Sequence, residues 1–299
     1  MQRKKQLMLL VILSVLVTFI LLVFNTPWFS SSAMRESFVY HPQADERLLF
    51  SEAETKLYIS DIKDENEYSL EMEYSAKLNI PAYSIHSIAL LFENGILVDF
   101  KADKVAKTDN IEGKLNFHGK DSGRHEAVTY YYAESRYGEN SIKSKQTMSS
   151  DIIYITDSPL SPLTSFEVPG DEEEKKTKQL LDSVIEQQLN FVWEGLTEEF
   201  GLNEGEYFKI PLNEFPEFLS RLPESIQPSE AAEITGRLWE GIYRYYILGA
   251  DTFTDSPYNP AGNTMPLVLL HRNGGHLITV YETSENNKQQ ILQLIPYVH

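Results

Sequence analysis

Residues 7–24 carry no charge, and only Ser14 and Thr18 interrupt a run of apolar side chains. A stretch like this admits few structures. At about 1.5 Å per residue, a helix of that length spans roughly 27 Å, close to the hydrocarbon thickness of a bilayer. Arg3, Lys4 and Lys5 stand just before it. Positive charge stays on the cytoplasmic side, so residues 1–6 are predicted to be cytoplasmic, 7–24 a transmembrane anchor, and the remainder extracytoplasmic. Trp28 falls where an interfacial aromatic anchor would sit. A cleaved signal peptide is the competing reading. It needs a shorter apolar stretch and a small-residue exit, which Ser31, Ser32 and Ala33 could supply. The run is long for that, and an uncleaved anchor is the expectation.

The chain contains no cysteine. Disulfides, thiolate metal sites, cysteine nucleophiles and a lipid-modified cysteine are therefore excluded. No Asn-x-Ser/Thr acceptor occurs either. For an external domain of this size, the joint absence points to a bacterial surface, and a Gram-positive one is expected. The formal net charge is −18, and three of the cations precede the apolar run, which leaves −21 for residues 25–299. Such a surface repels nucleic acid and anionic headgroups. The predicted partners are the cytoplasmic membrane, through the N-terminal helix, and another envelope protein, with no nucleic acid and no cofactor.

Beyond a linker at 25–35, residues 36–165 read as a β-rich domain. Residues 68–74 alternate strictly, with Ser69, Glu71 and Glu73 opposite the apolar set, as a strand with one wet face must. Residues 89–100 read as a hairpin closed on Asn94-Gly95. More strands are expected at 115–118, 127–133 and 151–156, and short strands with turn chemistry between them suggest an antiparallel sandwich. Tyr130, Tyr131 and Tyr132 must alternate along such a strand, so one set is expected to face outward.

Ser158, Pro159, Ser161 and Pro162 punctuate a candidate junction, after which 166–299 read as an α+β domain. Asp171 is a natural N-cap, with Glu172, Glu173 and Glu174 in the first turn. Leu181, Ile185, Leu189, Val192 and Leu196 follow at helical spacing, and Gly201 can close the end. Further helices are predicted at 214–222 and 229–248. A hairpin at 266–271 and 276–282 and a last strand at 290–298 complete the pattern. The predicted fold class is α+β: a transmembrane helix, an antiparallel β-sandwich-like domain, then about three helices on a small antiparallel sheet.

Three constellations could carry chemistry. Trp193-Glu194-Gly195 echoes Trp239-Glu240-Gly241. Two tryptophans beside two carboxylates suit a cell-wall glycan hydrolase, in which aromatic faces stack on sugars and two acids flank the scissile bond. Helical geometry opposes it by placing Glu194 and Glu240 on solvent faces, Glu240 among Arg237 and Arg244. Trp193 and Trp239 could instead form an aromatic binding surface. His271 and His276 would lie opposite each other if Asn273-Gly274 forms the turn, close enough to share a metal or to respond to pH. The loop 251–263, with Asp251, Asp255, Tyr258 and Asn259, is rich in oxygen donors but lacks calcium-loop spacing. Its length makes it the favoured binding surface and a basis for a cation-dependent receptor. Standard signatures fail: His125-Glu126 lacks the second histidine of a zinc protease, and Ser60-x-x-Lys63 has no Lys-Thr-Gly companion. The leading expectation is a non-enzymatic binding, assembly or regulatory component of the envelope.

Overall fold

The structure is a computed structural model that describes residues 35–36, 43–64, 67–138, 141–158, 161–224, 226, 230–250 and 258–295. The apolar run at 7–24 lies outside them. Among the described residues no helix is long and apolar enough to cross a membrane. The chain is mostly antiparallel β, with a few helices and a small C-terminal sheet.

The large sheet is built from β2 (Gln43–Ala44), β3 (Phe50–Asp64), β4 (Glu67–Glu93), β5 (Ile96–Gly119), β6 (Gly123–Tyr137), β7 (Ser141–Ser158) and β8 (Ser161–Phe166). Its order is β2-β7-β6-β4-β3, with β5 on β4 and β8 on β7. The strands expected at 68–74 and 89–92 are parts of one 27-residue strand, β4. Its first half pairs with β3 and β5, its second with β5 and β6. The change of partner follows a register shift between Lys77 and Ala82. Pro81, with no N–H to give a ladder, lies inside that irregular stretch.

The two halves differ in burial. Tyr68, Leu70, Met72, Tyr74, Ala76 and Leu78 are buried, while the residues between them are mostly more open. From Ile88 to Phe92 every residue is buried. Ile85, Ala89 and Leu91 join one apolar cluster with Leu70 and Met72, whereas Ile88, Leu90 and Phe92 join another with the C-terminal elements. Both faces of this half are therefore covered. The expectation that one set of tyrosines on β6 faces outward fails for the same reason. Tyr131 is fully buried on one face, Tyr130 is buried on the other, and Tyr132 beside it is half-buried.

The β4–β5 hairpin turns at Asn94-Gly95, both with positive φ, as the sequence predicts. At Gly95 a side chain would also lie 2.9 Å from Leu189. The turn is thus a seat for helix α1 (Glu172–Glu199). The Asp171 side chain caps α1 by accepting from the N–H groups of Glu173 and Glu174. Gly201, at φ +62°, helps close its end. A single turn of 3-10 helix and a short α2 (Phe215–Ser220) occupy the region predicted as one helix at 214–222. The predicted helix at 229–248 is α3 (Ala231–Gly241), continued by a wider π turn at Ile242–Ile247.

The small sheet has the order β1-β12-β11-β10-β9, formed by Arg35–Glu36, Lys288–Leu294, His276–Glu282, Leu267–His271 and Tyr207–Pro211. Its pairings are antiparallel except at the edge, where β1 joins β12 in parallel. Both long helices touch both sheets, α1 through β11 and β6, and α3 through β11, β12 and β7.

Candidate functional site

Where α3 crosses the doubly covered part of the large sheet, it leaves a cleft of about 680 Å³ lined from β4, β5, β6, β7 and α3. Tyr130 forms part of its lining and stacks on Trp239, with ring centroids 4.9 Å apart and planes 8° from parallel. The Trp239 indole N–H points to the Met148 sulfur, and the Tyr130 hydroxyl donates to Gln146. These bonds and the stack hold both rings in place. Tyr132 packs edge-on to His86, and its hydroxyl donates to Glu134. Burial, with a smaller contribution from Lys104, holds the His86 imidazole below its usual range, so it is neutral at physiological pH. Ile88 and Ile142 add apolar surface, while Lys104, Glu134 and Glu240 bring charge to the same cleft. Apolar walls with a few charged groups are the ordinary make-up of a binding pocket. The π turn after α3 is also a feature that recurs at functional sites.

The residues predicted from the tryptophan echo are not brought together. Glu194 is exposed on the outer side of α1. Glu240 lines the cleft and is not the solvated helix acid expected: its side chain is 10% exposed, with Arg244 at 3.2 Å and Arg237 at 3.9 Å. The helical wheel missed this because residues of β4–β6 line the other side of the cleft, and those strands lie more than a hundred residues away in sequence. Trp193 and Trp239 are both interior. Trp193 donates to the Met265 carbonyl. The aromatic binding surface proposed for the pair is therefore replaced by core, except where Trp239 meets the cleft.

His271 and His276 do come together, their rings stacked with centroids 4.7 Å apart. Tyr207 sits edge-on to both and bonds to His276. Burial and then the charge of His271 hold His276 below its usual range. Among the described residues no group of three His, Cys, Asp or Glu side chains could hold a metal ion. Asp251 and Asp255 lie outside the described residues. Tyr258 is half-buried and accepts a bond from buried Asn263; Asn259 is exposed and accepts from the Ala261 N–H.

A second polar cluster joins the large sheet to α1. Arg124, nearly buried, lies 3.1 Å from Glu126 and 3.0 Å from Asp182. Lys178 and Tyr154 also donate to Asp182, and Asn213 donates to Glu126. Burial pushes the Glu126 carboxyl up despite Arg124. Burial would raise Asp182 too, but its bonds from Lys178, Arg124 and Tyr154 outweigh that and hold it low. Sequence reading found neither this cluster nor the cleft. Tyr130, Tyr132, Trp239 and Glu240 of the cleft and Glu126 of the cluster stand out in the sequence one by one, but nothing there brings them together.

No family model and no curated protein sequence matches the chain. Solved structures give weak likenesses. A glycosyl hydrolase family 2 member from Bacteroides cellulosilyticus matches at 10% identity and TM-score 0.23, over 37% of this chain and 15% of that one. A second structure of a family 2 member from that organism matches at 11% identity and TM-score 0.22, over 40% and 17%. A protein from Archaeoglobus fulgidus matches at 6% identity and TM-score 0.19, over 40% and 98%. The chain thus spans about a sixth of the two hydrolases, and likenesses this weak carry no argument.

Proposed function

We propose that the protein is a membrane-anchored extracytoplasmic component of a bacterial envelope that binds a segment of another envelope protein in the α3 cleft, without catalysing a reaction. Residues 7–24 are its anchor, and the β-rich and α+β regions form its external part. The observation that carries the reading is the cleft: stacked Tyr130 and Trp239, an apolar wall at Ile88 and Ile142, and charged groups beside them. The partly exposed Ile142 and Tyr243, beside charge and backed by the buried Tyr130–Trp239 stack, are the kind of surface that recognises a protein segment. The two carboxylates required for glycan hydrolysis line different cavities.

A photoreactive side chain at Ile142 or Tyr243, in the full chain in its membrane, tests the proposal. One discrete envelope-protein adduct, lost when Trp239→Ala removes a ring of the cleft in a chain that still folds, is expected. No adduct at either position contradicts it, and so does a hydrolytic activity abolished by Glu240→Gln.

A further inference from the structure

Helix α1 is apolar on two sides. One side, with Ile185, Leu189, Trp193 and Leu196, is buried in the core. On the other side Leu180 is 65% exposed, Val184 44% and Phe191 79%. At 3.6 residues per turn, Leu180, Val184, Phe191 and Gly195 fall within about 60° of one another around the axis, facing away from Ile185 and Leu196. The stripe runs along about 22 Å of helix. Gly195 stands out: a side chain there would meet nothing within 4 Å. A glycine inside a helix costs about 1 kcal/mol relative to alanine, and packing among the described residues does not require it.

We propose that this face of α1 docks on the same face of a second copy of the chain. An antiparallel two-fold pairing is isologous, so residue i faces residue j and j faces i. Centred between Gln187 and Gln188, such a pairing sets Leu180 of each copy over the Gly195 notch of the other and packs Phe191 against Val184. The glycine then has a use, since it lets the facing leucine approach the backbone. The same register brings exposed Lys176 near exposed Glu198 of the other copy, twice over. It also carries the acidic first turn (Glu172, Glu173 and Glu174) level with residues 201–203, just past the end of the facing helix and about one turn from Glu198. The Leu180–Gly195 fit and the Lys176–Glu198 approach favour this register. This pairing does not depend on what the α3 cleft binds.

The absence of native cysteine makes the test clean. Single-cysteine versions of the full chain are oxidised mildly in the membrane. Gln187→Cys, beside the two-fold axis, is expected to give a covalent dimer. Leu180→Cys mixed with Gly195→Cys is expected to give the crossed pair, while Leu180→Cys alone, far from its own copy, gives none. Adding Phe191→Glu to Gln187→Cys should lower the dimer yield roughly tenfold or more, as for loss of an aromatic at the centre of an interface. Leu180, Gln187 and Phe191 are exposed and Gly195 is half-buried with room for a side chain, so folding can be checked in each variant by its unfolding midpoint. The proposal is overturned if folded Gln187→Cys stays monomeric, or couples no faster than Glu186→Cys on the neighbouring flank. It is equally overturned if Gln187→Cys couples only to a different protein.

Discussion

The two halves of β4 form one strand with two kinds of surroundings. From Leu70 to Leu78 burial alternates, and the strand is the inner wall of a sheet with a more open outer face. From Ser84 to Phe92 both faces are largely covered, one by the large sheet's own core and the other by helices and the small sheet. The second half is therefore the joint on which the C-terminal elements sit, and both the cleft and the Arg124 cluster border it. Where a strand is covered twice, a single side chain can hold two layers together. Where it is covered once, the solvent face tolerates change.

The contrast can be broken at its joint first. Arg124→Leu leaves Glu126 and Asp182 without the cation between them. It should destabilise the protein by roughly 3–5 kcal/mol in chemical denaturation, as expected for breaking a buried ion network on one side. Leu90→Ala, inside the doubly covered half, should cost about 3 kcal/mol through the cavity it leaves. Lys114→Ala, which breaks surface pairs with Glu71 and Glu73 over the singly covered half, should leave the unfolding midpoint unchanged.

His125, fully buried on β6 and bonded to Tyr68, gives the contrast a pH signature. Burial holds its pKa at about 4, below the ordinary 6.5. The unfolded chain therefore takes up the proton first as pH falls. Its contribution to stability is complete above pH 6.5 and is lost progressively as pH drops towards 4, by about 3 kcal/mol for a shift of this size. His125→Asn should flatten that part of the stability–pH curve relative to the parent. An unchanged slope would show that the imidazole is not buried in the neutral form. A smaller effect is expected at the turn beneath α1. Gly95→Ala combines φ +79° with a close approach to Leu189 and should cost about 1–3 kcal/mol, read as a lower midpoint.

Local chemistry was legible in the sequence. The Asn94-Gly95 turn, the Asp171 cap and the alternation at 68–74 each rest on neighbours within a few residues, and the structure keeps them, except that Ser69 is buried where an open position was expected. What depends on distant cover was not legible. Nothing near Glu240 in sequence says that strands β4–β6 will shield it. Strand alternation predicted an outward tyrosine on β6, because the pattern alone cannot report a second layer on the far face. Trp193 and Trp239 are core residues of two helices that each touch both sheets. Their carboxylate neighbours made that packing resemble a catalytic pair.

Amide hydrogen exchange along β4 tests the comparison most directly. Protection of residues 84–92 should reach the free energy of global unfolding. Protection of residues 68–78 should fall short of it, through local openings that leave the second half closed. Equal protection along the strand, or faster exchange at 84–92, would contradict the account of that half as the joint of the molecule.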